Sequence, residues 1–123
     1  MTDFSIASRL RSVRFALRGI RRMLRTQHNA WIHAAATAAA LTAGAVLRID
    51  AHEWLVIVLA IMAVWTAEAL NTAFEALCDV ASPDFHPSVE RAKDVAAGAV
   101  LISAIGSIVV AILIFGPRLA AAM

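Results

Sequence analysis

Four side chains on one apolar stretch carry groups from which chemistry can be built: Glu68, Asn71, Glu75 and Asp79. They stand at i, i+3, i+7 and i+11 inside Trp65-Thr-Ala-Glu-Ala-Leu-Asn-Thr-Ala-Phe-Glu-Ala-Leu-Cys-Asp79, so a helix aligns all four along one side. Glu68 lies deep in that stretch, where an ionised carboxylate is costly unless something compensates it. Three carboxylates and an amide on one face call for a cation. No lysine or arginine lies inside the apolar stretches, and a donor set of oxygens alone suits Mg²⁺ better than zinc. Asp79 is within reach of Arg91 and Lys93, and a solvated helix end accounts for it equally well. That explanation does not extend to Glu68, because depth removes the solvent.

The elements that must position these groups are read from composition. The chain of 123 residues is 61% hydrophobic and 16% charged, more apolar than a soluble domain of this size can bury. The surplus faces lipid. Three stretches, 29–47, 54–77 and 95–115, are long enough as helices to cross a hydrocarbon layer of about 30 Å. Before them, Ile6, Leu10, Val13, Leu17, Ile20 and Leu24 recur at spacings of four and three, with Arg11, Arg14, Arg18, Arg21 and Arg25 as a parallel stripe. This pattern predicts an amphipathic surface helix over 5–26, apolar side down in the membrane interface. The whole chain, 1–123, reads as one all-α membrane domain.

Seven of the eleven basic residues precede His28, and Arg91 and Lys93 fall between the second and third stretches. The positive-inside rule puts the N-terminus and that second loop in the cytoplasm and the C-terminus outside. Anionic headgroups, rather than a nucleic acid, are the nearest partner for the arginines. The N-terminal segment lacks the apolar core and cleavage pattern of a signal peptide. Cys78, the lone cysteine, reads as small apolar filler. His28, His33 and His52 read as polar edges, leaving His86 as the one histidine with a site role.

Small residues four apart (Ala36, Ala40 and Gly44; Ala99, Ser103, Ser107 and Ala111) predict close helix packing and an oligomeric bundle. Gly19 suggests a tight contact in the surface helix, Trp54 an interfacial anchor, Asp50–Glu53 a polar turn, and Gly116-Pro117 the end of the last helix. The segment Ser82-Pro-Asp-Phe-His-Pro-Ser-Val-Glu-Arg-Ala-Lys-Asp94 reads as a stiff turn. Lys93-Asp94 then opens the third spanning helix, where free backbone N–H groups and an ammonium suit a phosphate. Metal-binding carboxylates beside such a helix mouth are compatible with a nucleoside triphosphate site, although no P-loop glycine motif is present.

Together these residues resemble a known family. Glu68-Ala-Leu-Asn-Thr-Ala-Phe-Glu75, Asp79 one turn on, and Ala92-Lys93-Asp94 after the loop are similar to the signature of the bacterial diacylglycerol and undecaprenol kinases. The likeness continues in Phe15-Ala-Leu-Arg-Gly19, Asn29-Ala-Trp-Ile-His33 and Ser82-Pro-Asp-Phe-His-Pro87, covering roughly residues 10–117. The last two segments are closer to the undecaprenol kinase branch. The resemblance implies a homotrimer in the bacterial inner membrane, each protomer having a surface helix and three transmembrane helices, with active sites shared between neighbours. It implies ATP as phosphoryl donor, Mg²⁺ as cofactor and a lipid alcohol as acceptor. Glu68 would be the catalytic base and Glu75 the ligand of Mg²⁺ on the β- and γ-phosphates. Phe15, Asp84, His86, Lys93 and Asp94 would hold the nucleotide, with Asn71 and Asp79 supporting the acidic face. One position departs: Gln27 stands where the family pattern has a second metal-binding Glu, and offers an amide oxygen without charge. Trp31 replaces a family Arg in the same segment.

The parts fit the chemistry, since phosphoryl transfer needs positioned groups and neutralised charge, and a desolvated carboxylate is a competent base for a hydroxyl. Two other readings use the same carboxylates. A non-catalytic Mg²⁺-binding membrane scaffold predicts metal-dependent assembly without ATP turnover. A small ion channel or transporter predicts conductance and leaves Lys93-Asp94 without a role.

Overall fold

The computed structural model describes residues 4–123, and every regular element among them is a helix. In chain order these are α1 (Ile6–Thr26), α2 (His28–Val46), α3 (Ala51–Ala81) and α4 (Pro87–Ala122). Gln27 alone separates α1 from α2. Its extended backbone, φ −109° and ψ 118°, turns the chain between them.

The predicted amphipathic segment is a helix with its apolar face exposed. On α1 only Met23 is buried, while Ile6, Leu10, Val13, Leu17 and Ile20 present an unpacked apolar face. The tight contact expected at Gly19 is not seen among the described residues: nothing beyond its own helix backbone lies within 4 Å of where its Cβ would be. That glycine is in open space on an exposed helix and covers nothing.

α3 and α4 are long and apolar enough to cross a membrane. At 1.5 Å per residue, 31 and 36 residues reach about 46 and 54 Å, well beyond the hydrocarbon layer. α2 has 19 residues, and its histidines, Asn29, threonines and many alanines make it less apolar. Large apolar side chains such as Leu70, Ile102 and Leu113 are exposed along α3 and α4, as a lipid-facing surface requires.

The buried core gathers where α2 ends, α3 begins and α4 finishes: Ile49, Ile57 and Phe115, flanked by Ala40, Ala43, Trp54 and Ile114. The short polar turn expected over Asp50–Glu53 is the capped start of α3, with Asp50 as N-cap. The Glu53 N–H donates to Asp50 Oδ1 at 2.9 Å, and Glu53 Oε2 accepts from the Asp50 N–H at 2.9 Å. This reciprocal capping box satisfies two otherwise orphaned donors, and the Glu53 N–H holds the Asp50 carboxyl below its ordinary range. Glu53 also pairs with Arg118 of α4, which locks the two helix ends together. Trp54, expected as an interfacial anchor, is half-buried across Gly44.

Two boundaries on α4 differ from expectation. Gly116-Pro117 does not end the helix, which continues to Ala122 with Pro117 inside it. Proline removes one backbone donor, but the Arg118–Glu53 pair one residue later keeps the chain against α3. The start of α4 is also earlier than the third apolar stretch, at Pro87 with His86 as N-cap. Proline is pre-organised for a first helical position, so Ser88–Asp94 is helix and the connecting loop shrinks to residues 82–86.

Of the glycines, Gly44 is the one where size is decisive. A Cβ there would lie 2.7 and 2.9 Å from two Trp54 ring carbons and 3.1 Å from Ile49 Cδ1. Gly44→Ala is expected to destabilise the fold by about 1–3 kcal/mol through overpacking. Thermal unfolding in detergent micelles checks it, with Gly19→Ala as the substitution that meets no neighbour. Equal midpoints for the two variants would contradict the packing described.

Candidate active site on α3

The acidic line predicted on α3 is present, and its solvent exposure rises steadily along the helix. Glu68 is 1% exposed and Asn71 8%, Glu75 is half-buried, and the Asp79 side chain is 69% exposed. One side of one helix therefore runs from a dry interior to an accessible end. Glu75 lies about 10 Å further along the axis than Glu68.

Glu68 is not left alone at depth. His33 Nε2, on α2, stands 3.1 Å from Glu68 Oε2. The imidazole meets the Trp65 ring edge-on, with centroids 6.1 Å apart, and the Trp65 indole N–H donates to Thr37 Oγ1 at 2.9 Å. The Thr72 hydroxyl donates to the Glu68 carbonyl at 2.8 Å. Glu68 Oε1 and Asn71 Oδ1 are both buried without a hydrogen-bonding partner among the described residues. Buried acceptors in that state are unusual, and both would be satisfied by a donor brought by another molecule.

His33 corrects the assignment of that residue as a polar edge. The signal was available: an ionisable group one turn inside an apolar helix is a functional candidate by default. The partner of Glu68 is an imidazole from another helix, not a lysine or arginine.

At the far end of the line, Lys93 Nζ and Asp79 Oδ1 are 3.0 Å apart, as their reach predicted. Asp79, with a further contribution from Glu75, raises the Lys93 ammonium above its ordinary value, so it stays a cation. The expectation that Lys93-Asp94 opens a helix is not met. Both residues lie nearly two turns inside α4, beyond its free N–H groups. Lys93 can thus serve a phosphate as a point charge but not together with a helix terminus.

The remaining candidates lie on other elements and make only local contacts. His86 Nδ1 accepts from the Ser88 N–H at 3.2 Å, a capping role that leaves Nε2 for another contact. Asp84 and Asp94 are exposed, and the Asp84 carbonyl accepts from the Ser82 hydroxyl at 3.1 Å. Phe15 is exposed on α1 beneath the Arg18 guanidinium, 5.4 Å from its ring centre. Gln27 is half-buried at the α1–α2 junction, and its side chain caps neither helix. Arg91 donates to Ser88 Oγ and is not drawn into the acidic line. Cys78 is a half-buried free thiol, in keeping with its reading as filler.

The metal expectation is tested by the donors. Among the described residues, no three His, Cys, Asp or Glu side chains converge into a cage. Mg²⁺ does not need one, because it binds through one or two carboxylates, water and substrate phosphates. The half-buried Glu75 carboxylate, at the accessible part of the line, suits that mode; Gln27 adds at most a neutral oxygen.

Two apolar grooves flank α3. One, of about 260 Å³, runs between α2, α3 and α4 from Ala111 and Ile57 up to His33 and Val64. The other, of about 610 Å³, opens between α3 and α4 and includes Leu70, Asn71 and Phe74.

Comparison with known proteins converges on one family. The profile described as prokaryotic diacylglycerol kinase matches residues 14–115. An undecaprenol kinase of Bacillus subtilis is 41% identical over 102 residues, 83% of each chain. A diacylglycerol kinase of Synechocystis is 37% identical over 100 residues, 80% of this chain and 57% of that protein.

Proposed function

We propose, for a chain that belongs to the prokaryotic diacylglycerol kinase family and is a membrane lipid kinase, that it transfers the γ-phosphate of ATP to undecaprenol, with Mg²⁺ as cofactor. The observation that carries the reading is Glu68: a carboxylate 1% exposed, held through one oxygen and unpartnered at the other. Such a group is built to accept a proton from something that arrives without water.

In the reaction, the lipid hydroxyl gives its proton to Glu68 Oε1 while its oxygen forms a bond to the γ-phosphorus. The bond from that phosphorus to the bridging oxygen breaks, and ADP leaves with the electron pair. Glu68 returns its proton to solvent after product departs. Glu75 would hold Mg²⁺, which when bound would supply charge neutralisation during the transfer. Lys93 adds a second positive charge nearby, with Asp79 fixing its position. Asn71, one turn from Glu68, offers its free carbonyl as an acceptor to a water beside the γ-phosphate. Phe15, Asp84, His86 and Asp94 line the approach of the nucleotide.

The membrane arrangement belongs to the same proposal. α2, α3 and α4 all cross the bilayer, α1 lies on the cytoplasmic surface, and the C-terminus is outside, because the basic residues concentrate on α1 and in Arg91 and Lys93. Three chains assemble, each covering apolar surface that a single chain leaves bare. The lipid then reaches Glu68 sideways from the bilayer as ATP meets Glu75 and Lys93 from the water.

Undecaprenol is favoured over diacylglycerol by the Bacillus relative, which matches this chain over 83% of its own length. ATP-dependent phosphorylation of the two lipids, side by side in detergent micelles with Mg²⁺, tests this. Undecaprenyl phosphate is expected as the main product. Preferential turnover of diacylglycerol would reverse the substrate assignment, and no turnover of either by a folded protein would remove the kinase reading.

A further inference from the structure

His33 is used by no part of the mechanism above, yet it is the sole hydrogen-bonding partner of the Glu68 side chain among the described residues. Its own side chain is only 11% exposed. It is fixed from two directions. The backbone of α2 holds it, and Trp65, tied by its indole N–H to Thr37 one turn further along α2, stands edge-on against the imidazole. Thr37, Trp65, His33 and Glu68 thus form one connected patch across α2 and α3.

A carboxylate on a long side chain can rotate, and rotation would carry its free oxygen away from an incoming hydroxyl. Holding Oε2 leaves Oε1 in one place. We propose that His33 is a positioning residue for the phosphoryl transfer: with Nε2 protonated it donates to Glu68 Oε2 and keeps Oε1 aimed at the lipid hydroxyl. The inference rests on the reading of Glu68 as the base. It does not require His33 to touch substrate or nucleotide.

The test separates positioning from plain packing. His33→Ala is expected to lower kcat by about 10–100-fold, the usual cost of losing an orienting partner, with the KM for ATP unchanged. His33→Gln places an amide N–H at similar reach and is expected to recover kcat to within a few-fold of the wild type. Thermal unfolding of both variants reports whether they fold. A measurement that needs no His33 substitution accompanies it: the ¹⁵N resonance of His33 Nε2 in the wild type and in Glu68→Gln, where replacing a carboxylate by an amide must shift it. Wild-type kcat in His33→Ala, no recovery in a folded His33→Gln, or an unmoved His33 resonance would each overturn the inference while leaving the kinase reading intact. A folded wild type that phosphorylates no lipid would overturn the kinase reading and this inference together.

Discussion

Glu68→Gln is expected to lower lipid phosphorylation by about 10²–10⁴-fold, the range that a positioned general base contributes, with ATP binding and assembly unchanged. The amide has the volume of the carboxylate, so the buried site neither collapses nor overfills. It can still accept from the His33 N–H, which preserves the contact between α2 and α3. What it cannot do is take a proton from a hydroxyl. Turnover in micelles, nucleotide binding by equilibrium titration, and sedimentation for the assembly give the three readouts. Wild-type turnover in this variant would sink the base assignment. Loss of ATP binding alongside turnover would mean that Glu68 serves the nucleotide site instead.

The second large effect is expected at Glu75. Glu75→Gln should lower kcat by about 10²-fold or more, the scale of removing one group that stabilises transferring charge, and should raise the Mg²⁺ concentration needed for half-maximal rate. The physical reason is its location. Two turns from Glu68, it is exposed enough to meet a hydrated ion and buried enough for its charge to count. Rates measured across a Mg²⁺ series at saturating ATP check it. An unchanged Mg²⁺ dependence would show that the ion is held entirely by the phosphates and by other residues. The contrast between the two variants is informative in itself, since added Mg²⁺ should partly restore Glu75→Gln and leave Glu68→Gln untouched.

Much of this protein was legible in its residues, and the legible part is local. Ile6, Leu10, Val13 and Leu17 announce α1 because a helix returns to the same face every three to four residues, whatever lies beside it. The same period puts Glu68, Asn71, Glu75 and Asp79 in line. Signals at the helix ends were weaker, because their outcome depends on neighbours. Gly116-Pro117 reads as a stop, yet α4 continues past it while Arg118 pairs with Glu53, sixty-five residues away in the chain. His86-Pro87 reads as part of a turn, yet it caps a helix that swallows Lys93-Asp94.

The sequence alone determined that this is a helical membrane chain with an acidic line on one span, and that the line belongs to a lipid kinase family. Only the tertiary structure decided what faces that line. Periodicity fixes which residues share a side of one helix but carries no information about the rotation of one helix relative to another. That rotation is set by packing, where Gly44 admits the Trp54 ring and Ser107 of α4 donates to the Ala60 carbonyl of α3 at 3.3 Å. Once the helices are docked, His33 meets Glu68 across thirty-five residues, leaving Oε1 as the free oxygen of the pair.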